Sequence, residues 1–108
     1  MAMTAAPHDV QIARDGELRR VTVRCDLDDS SLVAVLDAVE PHLLADPGRQ
    51  WVIDLGCVRR VSVSGWAMLA HLAHVTRRGG RRLQLAGLQP VAAESLASSG
   101  LAGAFAAD

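Results

Sequence analysis

A hydroxyl followed by a glycine, Ser64-Gly65, sits inside the stretch VSVSGWAMLAHL at 61–72. The first half of that stretch alternates like a strand, and the second half is an almost unbroken run of apolar helix formers. A serine at such a join can act in two ways. Its hydroxyl can cap the helix by accepting a hydrogen bond from a free backbone N–H of the first turn. It can also carry a phosphate, because the free N–H groups and the helix dipole at that end favour an anion. Phosphorylation there adds roughly two negative charges, at a place where they cost the fold little. Both readings stand on the sequence.

The other chemically capable residues do not assemble into a site. His71 and His74 are three apart on the same segment, but no third ligand stands near them. Two partly exposed helix residues is therefore the simpler account. Asp54 would need a second acid or a base in reach, and Asp26, Asp28 and Asp29 are the only acids the chain order could bring to it. The pairs Arg59-Arg60, Arg77-Arg78 and Arg81-Arg82 lack interleaved aromatics, and the formal net charge is −1. They read as a solvated basic edge, so direct contact with nucleic acid is not expected. No G-x-S-x-G is present, since Ser62 stands two before Ser64, and Gly79-Gly80 is a helix stop and no part of G-x-G-x-x-G. Cys25 and Cys57 each lie among apolar strand formers and read as buried free thiols; two isolated cysteines form neither a disulfide framework nor a zinc signature. These readings predict no enzyme, no metal and no cofactor.

The elements that must position Ser64 follow from periodicity. A chain of 108 residues suits one domain. Half of its residues are hydrophobic but only 3% aromatic, so the core must be Leu, Val and Ala. Every basic side chain is Arg or His, and Lys, Tyr and Asn are missing, a bias that points to GC-rich bacterial coding. Residues 1–8 read as a flexible tail. VQIARDGELRRVTVRCDL reads as two strands joined at Asp15-Gly16. Ser30 or Ser31 then caps a helix with Leu32, Val35, Leu36, Val39 and Leu43 on one face. Pro41 predicts a kink or break near Glu40, and Asp46-Pro47-Gly48 ends the element. WVIDL is a short run for an inner parallel strand. A helix over about 65–78 stops at Gly79-Gly80, RRLQLAGL alternates as a strand, and Pro90 opens a last helix to about Ser98. The order β-β-α-β-α-β-α implies crossovers on one α/β sheet. No apolar run approaches the roughly 20 residues of a spanning helix, and MAMTAAPHD lacks a signal peptide's pattern. A cytoplasmic protein without membrane insertion is the expectation.

VIDLGCVRRVSVSGWAMLAHLAHVTRRGGRRLQLAGL, with the ending SLASSGLAGAF, resembles a STAS domain, the module of sulfate transporters and anti-sigma-factor antagonists. Family members run a strand ending in Asp-Leu, a loop, and Asp-Ser-Ser-Gly opening a helix; a Gly-stopped helix, a strand and a Thr-Gly-Leu-like ending with a Phe follow. The resemblance spans about residues 10–106 and implies a STAS-like mixed β-sheet, helices mainly on one face, in a single domain over 9–108. It implies that Ser64 matches the serine phosphorylated by a partner kinase and that Gly65 matches the glycine after it. CDLD at 25–28 resembles a Gly-Glu-Leu-Asp stretch, so Asp28 matches an acid beside the phosphorylation site. The implied function is a switch. The unmodified domain binds an ATP-binding serine kinase that is also an anti-sigma factor, phosphorylation releases it, and a phosphatase resets it. Asp28, Ser62, Ser64, Gly65, Trp66 and Met68 are the implied partner-binding residues. The motif's Asp is Ser62 here, its first Ser is Val63, and the early Gly is Cys25. Trp66 replaces a smaller aliphatic residue and reads either as core packing or as a partly exposed anchor. The alternative role is an accessory STAS subunit of a lipid-transport ABC complex, some of which carry altered serine motifs.

Overall fold

The computed structural model describes residues 9–46 and 50–105. The expected tail at 1–8 and the Pro47-Gly48 stop lie outside them. Within them the order is β1 (Val10–Asp15), β2 (Leu18–Val23), α1 (Leu32–Ala45), β3 (Gln50–Asp54), α2 (Val63–Arg78), β4 (Leu83–Ala86) and α3 (Pro90–Ser99), then a 3-10 turn at Ala102–Ala104.

The four strands form one sheet in chain order, β1-β2-β3-β4. β1 is antiparallel to β2, while β2, β3 and β4 run parallel. The expected mixed sheet and crossover order are both present. The hairpin turn sits one residue later than the sequence suggests: Asp15 pairs with Leu18, so the loop is Gly16-Glu17. Gly16 has φ +61°, the backbone that the first position of a tight two-residue hairpin takes without steric cost.

β2 and β3 are the inner strands, and on β3 Trp51, Val52 and Ile53 are all buried. Side chains that alternate along the strands, Val21 and Val23, Trp51 and Ile53, Leu83 and Leu85, enter one core with residues of the helices. α1 adds Val35, Val39 and Leu43, and α2 adds Leu69, Leu72, Ala73 and Val75. These match the helical spacing read from the sequence. The three aromatic rings are buried too. Trp51 donates its indole N–H to the carbonyl of Asp46 at 3.1 Å, and Phe105 meets Trp66 edge-on at 6.3 Å between centroids.

Three local expectations are corrected. α1 runs unbroken through Pro41; Leu43, fully buried two residues later, keeps the last turn in the core. The stretch at 61–62 is not a strand: it makes a single parallel bridge, Leu27 with Val61, and α2 has already begun at Val63. The cysteines are not both buried. Cys25 is half-buried and Cys57 exposed, because Leu55 and Val58 turn into the core on either side of it. Among the described residues no helix is long and apolar enough to cross a membrane.

Ile53 is 1% exposed at the centre of this sheet. Ile53→Ala should lower the unfolding free energy by about 2–5 kcal/mol, from lost burial plus the cavity left behind, as measured by urea denaturation.

Candidate functional site at the start of α2

Three parallel strands each lead into a helix, so the N-termini of α1, α2 and α3 gather at one end of the molecule, beyond the carboxyl ends of β2, β3 and β4. This is the end at which open α/β sheets place their binding sites. Two loops there are zipped together. Leu27 donates its N–H to the carbonyl of Arg60 at 3.0 Å, and the Leu27 carbonyl accepts from the N–H of Ser62 at 2.8 Å. The Asp26 carboxylate accepts from the backbone N–H groups of both Arg59 and Arg60, at 3.0 and 3.2 Å.

This zip delivers Ser62 to the helix start in an extended conformation, φ −72° and ψ 169°, and its hydroxyl accepts from the N–H of Gly65 at 3.0 Å. Ser62, and not Ser64, is therefore the cap of α2. Ser64 is the second helical residue, exposed, and among the described residues nothing hydrogen-bonds its hydroxyl. Gly65 is buried against the other loop: a Cβ on it would stand 2.9 Å from the Leu27 carbonyl oxygen and 2.9 Å from Val61 Cγ1. The glycine after the serine is thus a close-approach residue.

Asp28 is exposed on the other side of the zip. Its Oδ1 accepts from the Ser30 hydroxyl at 2.6 Å and the Ser30 N–H at 2.9 Å. These bonds, the hydroxyl's first, hold its carboxyl below the usual aspartate range. Ser31 occupies the cap position of α1 but does not cap it; its hydroxyl donates to the Asp26 carbonyl and accepts from the Asp28 N–H. The expected cap at Ser30 or Ser31 is replaced by the Asp28 carbonyl, which accepts from the N–H groups of Ser31 and Leu32. Between the Asp28 and Ser62 loops and α3 lies an open groove of about 420 Å³ with apolar walls of Leu27, Val61 and Val91. Val33, Val63 and Val91, in the first two residues of their helices, are 70, 74 and 63% exposed.

A family model described as "Mlab, STAS domain" matches residues 10–106. This chain belongs to the STAS domains. No curated protein sequence matches it. Solved structures similar to this STAS domain include a serine-to-glutamate variant of RsbS from Moorella thermoacetica, 21% identical, covering 84% of this chain and 77% of that one, with a TM-score of 0.71. The murine Solute Carrier 26 family member A9 anion transporter, inward-facing, is 17% identical over coverage of 82% and 14%, TM-score 0.72. Mglu is 20% identical over 79% and 21%, TM-score 0.65. The domain thus spans about a fifth of Mglu and a seventh of the transporter, and over three quarters of the RsbS variant.

In this STAS domain the residues expected to meet a partner separate into two groups. Asp28, Ser62 and Ser64 lie at the surface or line the groove. Trp66 is 0% exposed and Met68 is buried, so of the two readings of Trp66 the structure takes core packing, and Met68 supports the helix from within. The helix turn explains this: one residue after Gly65 the side chain points into the core, where the Trp66 indole N–H donates to Ser95 Oγ at 2.9 Å.

Of the remaining residues weighed on the sequence, His71 and Asp54 have partners in the fold. His71 pairs with Glu40 across α1 and α2, and His74 is exposed. No group of three metal-ligating side chains occurs among the described residues. Asp54 accepts from the N–H of Gly56 at 2.9 Å and pairs with Arg20 at 3.6 Å. Sequence reading weighed Asp26 only as an acid for Asp54 and missed its clamping role, and it missed Ser95. Asp26 acts on amides 33 and 34 residues away, and no local pattern announces such a clamp.

Two tests follow from the geometry. Gly→Ala inside an unobstructed helix stabilises by roughly 1 kcal/mol; at Gly65 the added methyl meets backbone, so Gly65→Ala should instead destabilise by about 1–3 kcal/mol in urea denaturation. The Asp28 carboxyl, followed by NMR, should titrate below the ordinary aspartate value, and Ser30→Ala should raise its midpoint. Because that pKa is depressed, its stabilising effect is present above the ordinary aspartate pKa and is lost as pH falls through the folded-state value.

Proposed function

We propose that this STAS domain is a regulatory protein-binding module of the anti-sigma-factor-antagonist kind. It binds a kinase-type anti-sigma factor of the ATP-binding class through the start of α2, is switched off by that kinase's phosphorylation of Ser64, and is reset by a phosphatase. The observation that carries this reading is the division of labour between two serines. Ser62 is occupied as the cap, while Ser64, two residues on, is exposed next to the exposed Val63, and among the described residues nothing hydrogen-bonds its hydroxyl. A phosphate there would disturb neither cap nor core. It would place a charge beside the exposed Val63, where an unpaired charge opposes apolar association strongly. Asp28, held ionised beside the groove, would add like-charge repulsion.

A second reading, the accessory subunit of a lipid-transport ABC complex, is favoured by one observation: the cap is the neutral Ser62 where the antagonist motif carries Asp. Docking of a transporter ATPase at the start of α2 would need no modification of Ser64.

The two separate in affinity capture from the source organism's lysate with wild type, Ser64→Ala and Ser64→Asp as baits. An ATP-binding anti-sigma factor held by wild type and Ser64→Ala, and recovered at least about tenfold less by Ser64→Asp, supports the switch. A transporter ATPase held equally by all three overturns it and favours the second reading.

A further inference from the structure

Ser95 lies in the middle of α3 and on the wall of the groove. A helical serine can bond back to a carbonyl of its own helix. This one instead reaches two partners far along the chain. Its hydroxyl donates to the carbonyl of Val61 at 3.2 Å, 34 residues away, and accepts from the Trp66 indole N–H at 2.9 Å, 29 residues away. That uses the single proton and one acceptor position of the hydroxyl. Val61 is the residue before the cap, and Trp66 is the residue after Gly65. One hydroxyl on α3 therefore grips both sides of the segment 62–65, which carries the cap and Ser64. The apolar hold on α3 is light by comparison: Ala92 and Leu96 are its buried apolar side chains, against six on α2.

We propose that Ser95 is a positioning residue that ties α3 to the start of α2, so that the groove wall and the turn bearing Ser64 move as one unit. A group seated against Val91 and Ser95 then bears on the turn, and a charge placed on Ser64 bears on the wall. Trp66, which the family resemblance does not require, is here the other half of the tie. The tie stands on this geometry alone; its effect on partner capture rests on the docking reading above.

Hydrogen exchange followed by NMR on the free, full-length chain tests it. Ser95→Ala should speed exchange of the Trp66 indole N–H and of the Gly65 amide by about tenfold, the loss of one buried hydrogen bond, while β3 amides keep their protection. Ser95→Thr, which retains the hydroxyl, should restore both. Trp66→Phe, which removes the indole donor together with part of a buried ring, should also speed the Gly65 amide, and by more than it speeds the β3 amides. Uniform acceleration across the chain would mean that Ser95 serves only global stability, and an unchanged indole or Gly65 signal would mean that no tie exists; either result overturns the proposal. Run with the capture baits, Ser95→Ala should lower partner recovery and Ser95→Thr keep it. If wild type captures no partner of either kind, the docking reading fails while the exchange result still decides the tie.

Discussion

The carbonyl oxygen of Leu27 governs the site. It accepts the N–H of Ser62 and lies where a Cβ of Gly65 would stand. A helix start can approach another loop this closely only if one residue has no side chain and the chain before it is held straight. The straight chain comes from the Leu27–Val61 bridge, and the bridge is held by Asp26, whose one carboxylate oxygen takes two successive amides. Removing any of these moves the cap, and with the cap the exposure of Ser64. The site is therefore built from backbone pairing between two loops, fastened by the Asp26 carboxylate and the Ser62 hydroxyl.

That origin explains what the sequence could tell. The regular elements were legible because burial is periodic in them. Leu69, Leu72, Ala73 and Val75 name the inner face of α2, and the uniform apolar run of WVIDL names an inner strand. The resemblance carried the mixed sheet with its helices mainly on one face. Local rules failed where a distant partner intervened. Sequence pointed to Ser64 as the cap, but the pairing to Leu27 starts the helix two residues earlier than the apolar pattern does, and Ser62 caps it. Pro41 breaks an isolated helix, but Leu43 in the core holds this one together. Cys57 looks apolar among its neighbours, but a turn projects it outward. The roles of Asp26 and Ser95 could not be found, since their partners are about thirty residues away.

The departures from the family's motif also gain physical content. With Ser62 as cap, α2 begins without a negative charge, and no acidic residue occupies its first turn. The dipole at that end is thus not offset by the protein itself. With Trp66 in place of a smaller residue, the helix gains a large buried ring whose N–H must be satisfied, and Ser95 satisfies it.

The order of strands in the sheet is also the order of strands in the chain. Each new strand is added beside the previous one, so a chain lengthening from its N-terminus can extend the sheet at a single growing edge without waiting for a later segment to be inserted. Hairpin, first crossover and second crossover can be laid down in turn. The groove is the exception. Its walls come from residues near 27, near 61 and from α3, so it is absent until the last helix docks. During synthesis the serine-bearing turn would exist before the groove does, and the groove would be complete only as α3 closes on Trp66.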